Sequence, residues 1–226
     1  DPRNLQGLLD MPPPTMGDHL QQFCCALNWV RNSIPEFTTL IKQLQDTLED
    51  VYSRAGSRTK NAVRKISLMA CGWSPTLVHC FEQCKAALSQ ATSLAHRHPQ
   101  LRLCVYTDAS ERHWSSIITQ VPVEDLASPH EAQRHEPLAF LSGTFANAQL
   151  RWAISDKEGF PIIDTCDRLD YLLLCLEDFS LFTDHRNLIY IYDPRGRNLG
   201  LARHSEARLL CWALRLASYN YVIEFI

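Results

Sequence analysis

Residues 101–110 read LRLCVYTDAS, an apolar run, Leu103-Cys104-Val105-Tyr106, that stops on Thr107-Asp108. A run this short, bounded by polar residues, is the pattern of a buried strand. The carboxylate that ends it either opens a turn or is held by the strand at one fixed point. Phe179-Ser180-Leu181-Phe182-Thr183 repeats the pattern and ends on Asp184. If these two strands are parallel neighbours, both aspartates leave the same edge of the sheet, where open sheets place their ligands.

Working outward, Ser116–Val121 and Pro137–Leu141 read as further strands, with 122–136 a longer polar loop between them. Ser155-Asp156-Lys157-Glu158 heads an amphipathic helix to about Leu174, and another helix runs from about Arg203 to Ser218 with Leu209, Ala213 and Leu216 on one face. Residues 219–226 alternate as a last strand. Strand, strand, strand, helix, strand, helix, strand predicts an α/β domain: a mixed five-stranded sheet with flanking helices.

The sequence before 101 is of another kind. Pro12-Pro13-Pro14 is a stiff lead-in, Asp18 is placed to cap a helix carrying Leu20, Phe23, Cys24, Leu27 and Val30, and Pro35 ends or kinks it. A second helix is expected over 38–52, followed by a basic, polar stretch, 53–60, that reads as a linker or a phosphate contact. Ser74-Pro75 is a helix start, with Leu77, Phe81, Cys84 and Leu88 as its buried stripe. The organisation expected is a helical segment over 1–100 and a sheet domain over 101–226.

Composition narrows the function. The chain has 226 residues, a net charge of −3 and a hydrophobic content of 46%. It can bury a core, and no apolar run is long enough to span a membrane. No global positive field draws it to nucleic acid, so such binding must use local basic faces. Nine cysteines, odd in number and irregularly spaced, read as reduced thiols of an intracellular protein. His79, Cys80 and Cys84 are the nearest approach to a zinc motif, but no second ligand pair follows and packing is the preferred reading. The chain opens without Met and closes within a strand pattern, so both ends read as cut, as in a fragment of a longer polyprotein or a decayed copy.

Asp108, Asp184 and Glu158 make the chemistry specific. Crowded carboxylates repel and raise one another's pKa unless a cation neutralises them. Their hard oxygens suit Mg2+, and a pair of such ions can activate water and stabilise the leaving oxygen of a phosphodiester. Each residue also has a plain reading, Asp108 and Asp184 as turn starters and Glu158 as the capping-box partner of Ser155.

Residues 103–226 resemble the ribonuclease H domain of Ty3/gypsy-type retrotransposon reverse transcriptases. Thr107-Asp108-Ala109-Ser110 with Gln120 resembles the family's first strand and hairpin, and Pro137-Leu138-Ala139-Phe140-Leu141-Ser142 its third strand. Ala148, Trp152 and Lys157-Glu158 resemble the entry to its first helix, and Phe182-Thr183-Asp184-His185-Arg186-Asn187-Leu188 its fourth strand and exit. Asn28-Trp29-Val30-Arg31 and Trp73–Leu94 are similar to the helix after the polymerase palm and to the connection segment, whereas 45–70 fits the family poorly.

The resemblance implies a ribonuclease H-like fold preceded by a helical thumb or connection segment. It implies hydrolysis of the RNA strand of an RNA–DNA hybrid with two Mg2+ ions, and Asp108, Glu158 and Asp184 as catalytic metal ligands. Arg203, Arg208 and Arg215 become candidate contacts to the nucleic-acid backbone. The family's fourth carboxylate lies beyond the last strand of this sequence, which implies one weakened ion site. Usual hairpin glycines are replaced at His113 and Ser115, and Pro161 falls inside the Glu158 helix. No polymerase Tyr-x-Asp-Asp is present. The alternative expectation is a non-catalytic remnant or support domain of the polyprotein.

Overall fold

The computed structural model describes residues 2–174, 178–193 and 206–226. The chain separates between Thr92 and Ser93 into two compact units.

The first unit is helical: α1 (Pro2–Leu9), α2 (Gly17–Trp29), α3 (Phe37–Ala55), α4 (Lys60–Val63) and α5 (Pro75–Ser89). Helical spacing gives α2, α3 and α5 one apolar stripe each, and these close into a single core around Phe23, Leu27, Ile41, Leu44, Phe81 and Leu88. Phe23 and Phe81 meet with ring centroids 4.4 Å apart. Ser74 and Pro75 do start α5, although the serine side chain makes no capping bond.

Two local expectations are corrected. Asp18 does not cap α2; Met16 holds the cap position, and Asp18 lies buried in the first turn. The helix start is fixed by backbone instead, with Gly17 N–H donating to the Ile66 carbonyl at 2.9 Å. Gly17 is required there, because a Cβ would sit 2.6 Å from the Val63 carbonyl oxygen. Nor is 53–60 a linker: residues up to Ala55 complete α3, and Gly56 ends it in the left-handed conformation at φ 64°. Its two arginines are already paired, Arg54 with Asp50 at 2.8 Å and Arg58 with Glu49 at 3.0 Å.

The second unit is built on β1 (Leu101–Ala109), β2 (His113–Pro122), β3 (Glu136–Thr144), β4 (Phe179–Thr183) and β5 (Tyr221–Phe225). They form one mixed five-stranded sheet in the order β3-β2-β1-β4-β5. β1, β2 and β3 pair antiparallel, while β4 lies parallel to β1 and β5 parallel to β4. β1 outruns the expected strand by two residues because Asp108 and Ala109 still pair with Ser115 and Trp114 of the hairpin partner. The hairpin closes with Ser110 N–H donating to the His113 carbonyl at 2.7 Å. Among the described residues only Glu36 and Asn147 carry a positive φ without being glycine, so His113 and Ser115 adopt this hairpin without glycine's freedom.

The long helix expected after Ser155 is two, α6 (Ile154–Arg168) and α7 (Asp170–Leu173), separated at Leu169. α8 (Arg186–Tyr192) and α9 (Glu206–Leu216) follow. Pro161 is interior to α6 and buried, and the helix continues past it to Arg168. The missing N–H is tolerated because packing carries this helix: Ile162, Ile163 and Cys166 join Leu103, Val105, Ile118, Leu181 and Ile223 in the main core. A buried hydrogen bond from Thr165 Oγ1 to Ser116 Oγ, 2.7 Å, pins α6 to β2.

The other face of the sheet carries Cys104, Tyr106 and Phe182. The expected polar loop 122–136 lies over it, with Tyr106 stacked on Phe182 at 4.6 Å and sharing a 3.1 Å hydrogen bond with His130. Gln120, fully buried, accepts from the His98 amide and donates to the His96 carbonyl, both at 2.9 Å, and so ties the segment before β1 to the sheet. Among the described residues no helix is long and apolar enough to cross a membrane.

Gly143 sits opposite Trp114 in the β2–β3 ladder, and a Cβ there would lie 2.4 Å from the indole. Gly143→Ala should therefore destabilise the sheet unit by about 1–3 kcal/mol. Denaturant unfolding followed by circular dichroism measures it, and an unchanged midpoint would contradict this packing.

Candidate metal centre

The parallel register of β1 and β4 places Thr107 opposite Thr183. Both threonines are buried, and the next residue on each chain segment is an aspartate. Asp108 and Asp184 therefore emerge side by side. Glu158 arrives from the first turns of α6, which packs on β1 and β2. One carboxylate oxygen from each of the three lies within 4.8 Å of the others; Asp108 and Asp184 are exposed and Glu158 is buried.

Glu158 is not a capping-box partner. Ala153 holds the cap of α6 without a side-chain bond, and the Ser155 hydroxyl is 3.1 Å from His185 Nε2 instead. The Glu158 carboxyl is pushed up to about 7 by burial first, then by the charges of Asp184 and Asp108, against a hydrogen bond from the Ala109 backbone that favours its charge. Its Oε2 is buried with no hydrogen-bond partner. A buried carboxylate oxygen without a donor, facing two further carboxylates, is a set that could hold a metal ion, and its all-oxygen chemistry fits a hard divalent cation.

The remaining expected site residues fall elsewhere. Arg208 pairs with the buried Asp156 of α6 and lies over the Trp152 ring at 4.3 Å. Arg215 reaches both oxygens of Asp167 at 2.6 Å. Both guanidinium groups thus lash α9 to α6. Arg203 lies outside the described residues. Packing accounts for the paired cysteines: the Cys80 and Cys84 thiols donate to the Leu40 carbonyl inside the helical core, and among the described residues the group able to hold a metal is Asp108, Glu158 and Asp184. Burial pushes both thiols up, away from the thiolate a metal needs.

The topology and the acidic cluster at the β1–β4 edge define a mixed α/β domain with a carboxylate site at one sheet edge. The chain belongs to the family described as the RNase H-like domain found in reverse transcriptase, which matches residues 98–219. It is 27% identical over 224 residues to the transposon Tf2-3 and Tf2-4 polyproteins of Schizosaccharomyces pombe, covering 98% of this chain and 14% of each relative. The chain thus spans about a seventh of those polyproteins. Among solved structures it is similar to a foamy viral protease-reverse transcriptase in complex with RNA/DNA hybrid, with TM-score 0.68 and 16% identity, covering 100% of this chain and 27% of the other. A second, in complex with dsDNA, gives TM-score 0.71 and 17% identity, covering 100% and 41%.

The raised Glu158 carboxyl has a sign. Its ordinary value is 4.5, and in the fold it rises to about 7. Between those values the folded chain binds the proton more tightly than the unfolded chain, so stability is fullest below the lower value and is lost as pH rises through the window. Without divalent ions, wild type should fall below Glu158→Gln in melting temperature by a margin that widens by a few degrees from pH 5 to pH 8. Parallel melting curves with pH would refute the burial of this carboxylate.

Proposed function

We propose that this chain is the ribonuclease H portion of a retroelement reverse transcriptase, hydrolysing the RNA strand of RNA–DNA hybrids with Mg2+. The observation that carries this reading is the convergence of Asp108, Glu158 and Asp184 within 4.8 Å at the edge where β1 and β4 run parallel. Family membership supports the nuclease class, and the hybrid in the foamy viral neighbour's complex supports the substrate.

In this reading the three carboxylates hold the ions. Divalent ions bound there supply the activation of water and the stabilisation of the leaving oxygen. Asp108 and Asp184, both exposed, present their oxygens to the side from which the backbone of the hybrid approaches. Glu158, walled in by the sheet and α6, keeps its oxygens aimed at that site and gives up its proton when the site fills. Recognition rests on A-form shape, phosphates and 2′-hydroxyls rather than on base sequence. Arg215, more than half exposed beside Asp167, is the α9 arginine with room to meet a phosphate.

The helical unit serves here as the thumb or connection segment that carries the nuclease on the rest of the polyprotein. The free cysteines among the described residues fit a reducing, intracellular setting.

End-labelled RNA annealed to DNA, incubated with the chain and Mg2+, tests the proposal. Cleavage should require the hybrid and the ion, and should fall by roughly 100-fold or more in Asp108→Asn. Equal cleavage by wild type and Asp108→Asn, or none by wild type while it binds the hybrid, would instead favour a non-catalytic support domain.

A further inference from the structure

One turn of α6 touches two other elements through side chains the nuclease reading leaves unused. Ser155 Oγ shares a 3.1 Å hydrogen bond with His185 Nε2, at the exit of β4 directly after Asp184. The His185 amide donates to Thr183 Oγ1 at 3.2 Å, so that exit is held from both sides. Lys157, only 7% exposed, donates from Nζ to the Glu111 carbonyl at 2.7 Å, at the tip of the β1–β2 hairpin just after Asp108. Its ammonium also lies 5.7 Å from the Phe145 ring centre.

A buried ammonium is costly, and this one meets a backbone carbonyl rather than a carboxylate. A methionine would fill the same space at less desolvation cost, so packing alone does not account for lysine. Both bonds fasten a chain segment that follows a carboxylate. Strand pairing fixes Asp108 on β1, but Asp184 lies past the last paired residue of β4 and the hairpin tip past the last of β1.

Building on the proposed function, we infer that Ser155 and Lys157 are positioning residues for the metal site. Ser155 sets Asp184 against Glu158 through His185, and Lys157 sets the Asp108 end of the hairpin against the same helix turn. Neither touches an ion. Each limits the spread of the carboxylate oxygens and so raises the affinity of the site for a divalent cation, as outer partners of metal ligands do.

The test titrates the full chain with Mg2+ and with Mn2+ by calorimetry, comparing wild type, Ser155→Ala, Ser155→Thr and Lys157→Met, with ion-free melting curves as the control for folding. Ser155→Ala and Lys157→Met should bind the ions about ten-fold more weakly, with ion-free melting temperatures close to wild type. Ser155→Thr, which keeps the hydroxyl, should restore affinity. Hybrid cleavage by the two weakened variants should recover as Mg2+ is raised, unlike that of Asp108→Asn. Unchanged ion affinity in both variants, or losses that merely follow a fall in melting temperature, overturns the inference while leaving the nuclease reading intact. A wild type that binds neither ion overturns both.

Discussion

The site depends on one register: β4 lies parallel to β1 with Thr183 against Thr107. Buried threonines at those positions bring the strands to the same edge in step, and the chain then continues on both strands as aspartate. A slip of one residue in a strand would turn its side chains to the other face and break the pairing of the two carboxylates. The parallel register in turn needs a crossover, which the chain from β3 through α6 to β4 supplies. That crossover carries Glu158. The same connection that makes the sheet mixed therefore also delivers its third acid.

What could be read from residues alone follows from how local each signal is. The strands and their aspartates were legible because apolar runs with abrupt polar ends are local patterns, and the five-stranded mixed sheet followed from their order. The candidate acids were legible as a series, but their convergence is a matter of register, which no stretch of sequence states by itself. Glu158 shows the limit: Ser155-x-x-Glu158 satisfies the capping-box pattern, yet Ser155 faces His185 and the glutamate faces the sheet edge. A non-local partner displaced the local one. The backbone-held start of α2 at Gly17 was missed for the same reason.

The basic residues teach a related lesson. Arginine on a helix beside an acidic site invites a reading as a phosphate contact; Arg208 and Arg215 each also meet an acid of α6, and Arg215 stays more than half exposed while it does so. Asp156 is buried, so its pairing with Arg208 removes a charge that would otherwise stand uncompensated two residues from Glu158. The polar loop 122–136 is also more than a connection. Tyr106 and Phe182 face away from the helices, and the loop covers their stacked rings with His130 and His135. The nearly unbroken apolar runs of β1 and β4, rather than an alternation, signal that both faces of these strands are covered.

The acidic edge sets stability and function against each other. Holding Asp108, Glu158 and Asp184 together while Glu158 is desolvated opposes folding at neutral pH, which is why Glu158 retains its proton up to about 7. A cation held there would reverse the sign, because it would bind the folded chain, where the three oxygens are gathered, and not the unfolded chain, where they are dispersed. At ten times its dissociation constant a ligand of that kind contributes about 1.4 kcal/mol to folding. The proton that Glu158 would release to such an ion would make the gain smaller at low pH and larger above neutrality. On the proposed reading the fold would gain from the ion most where the acids repel most, and the repulsion that disfavours an ion-free domain would become the affinity of a metal centre.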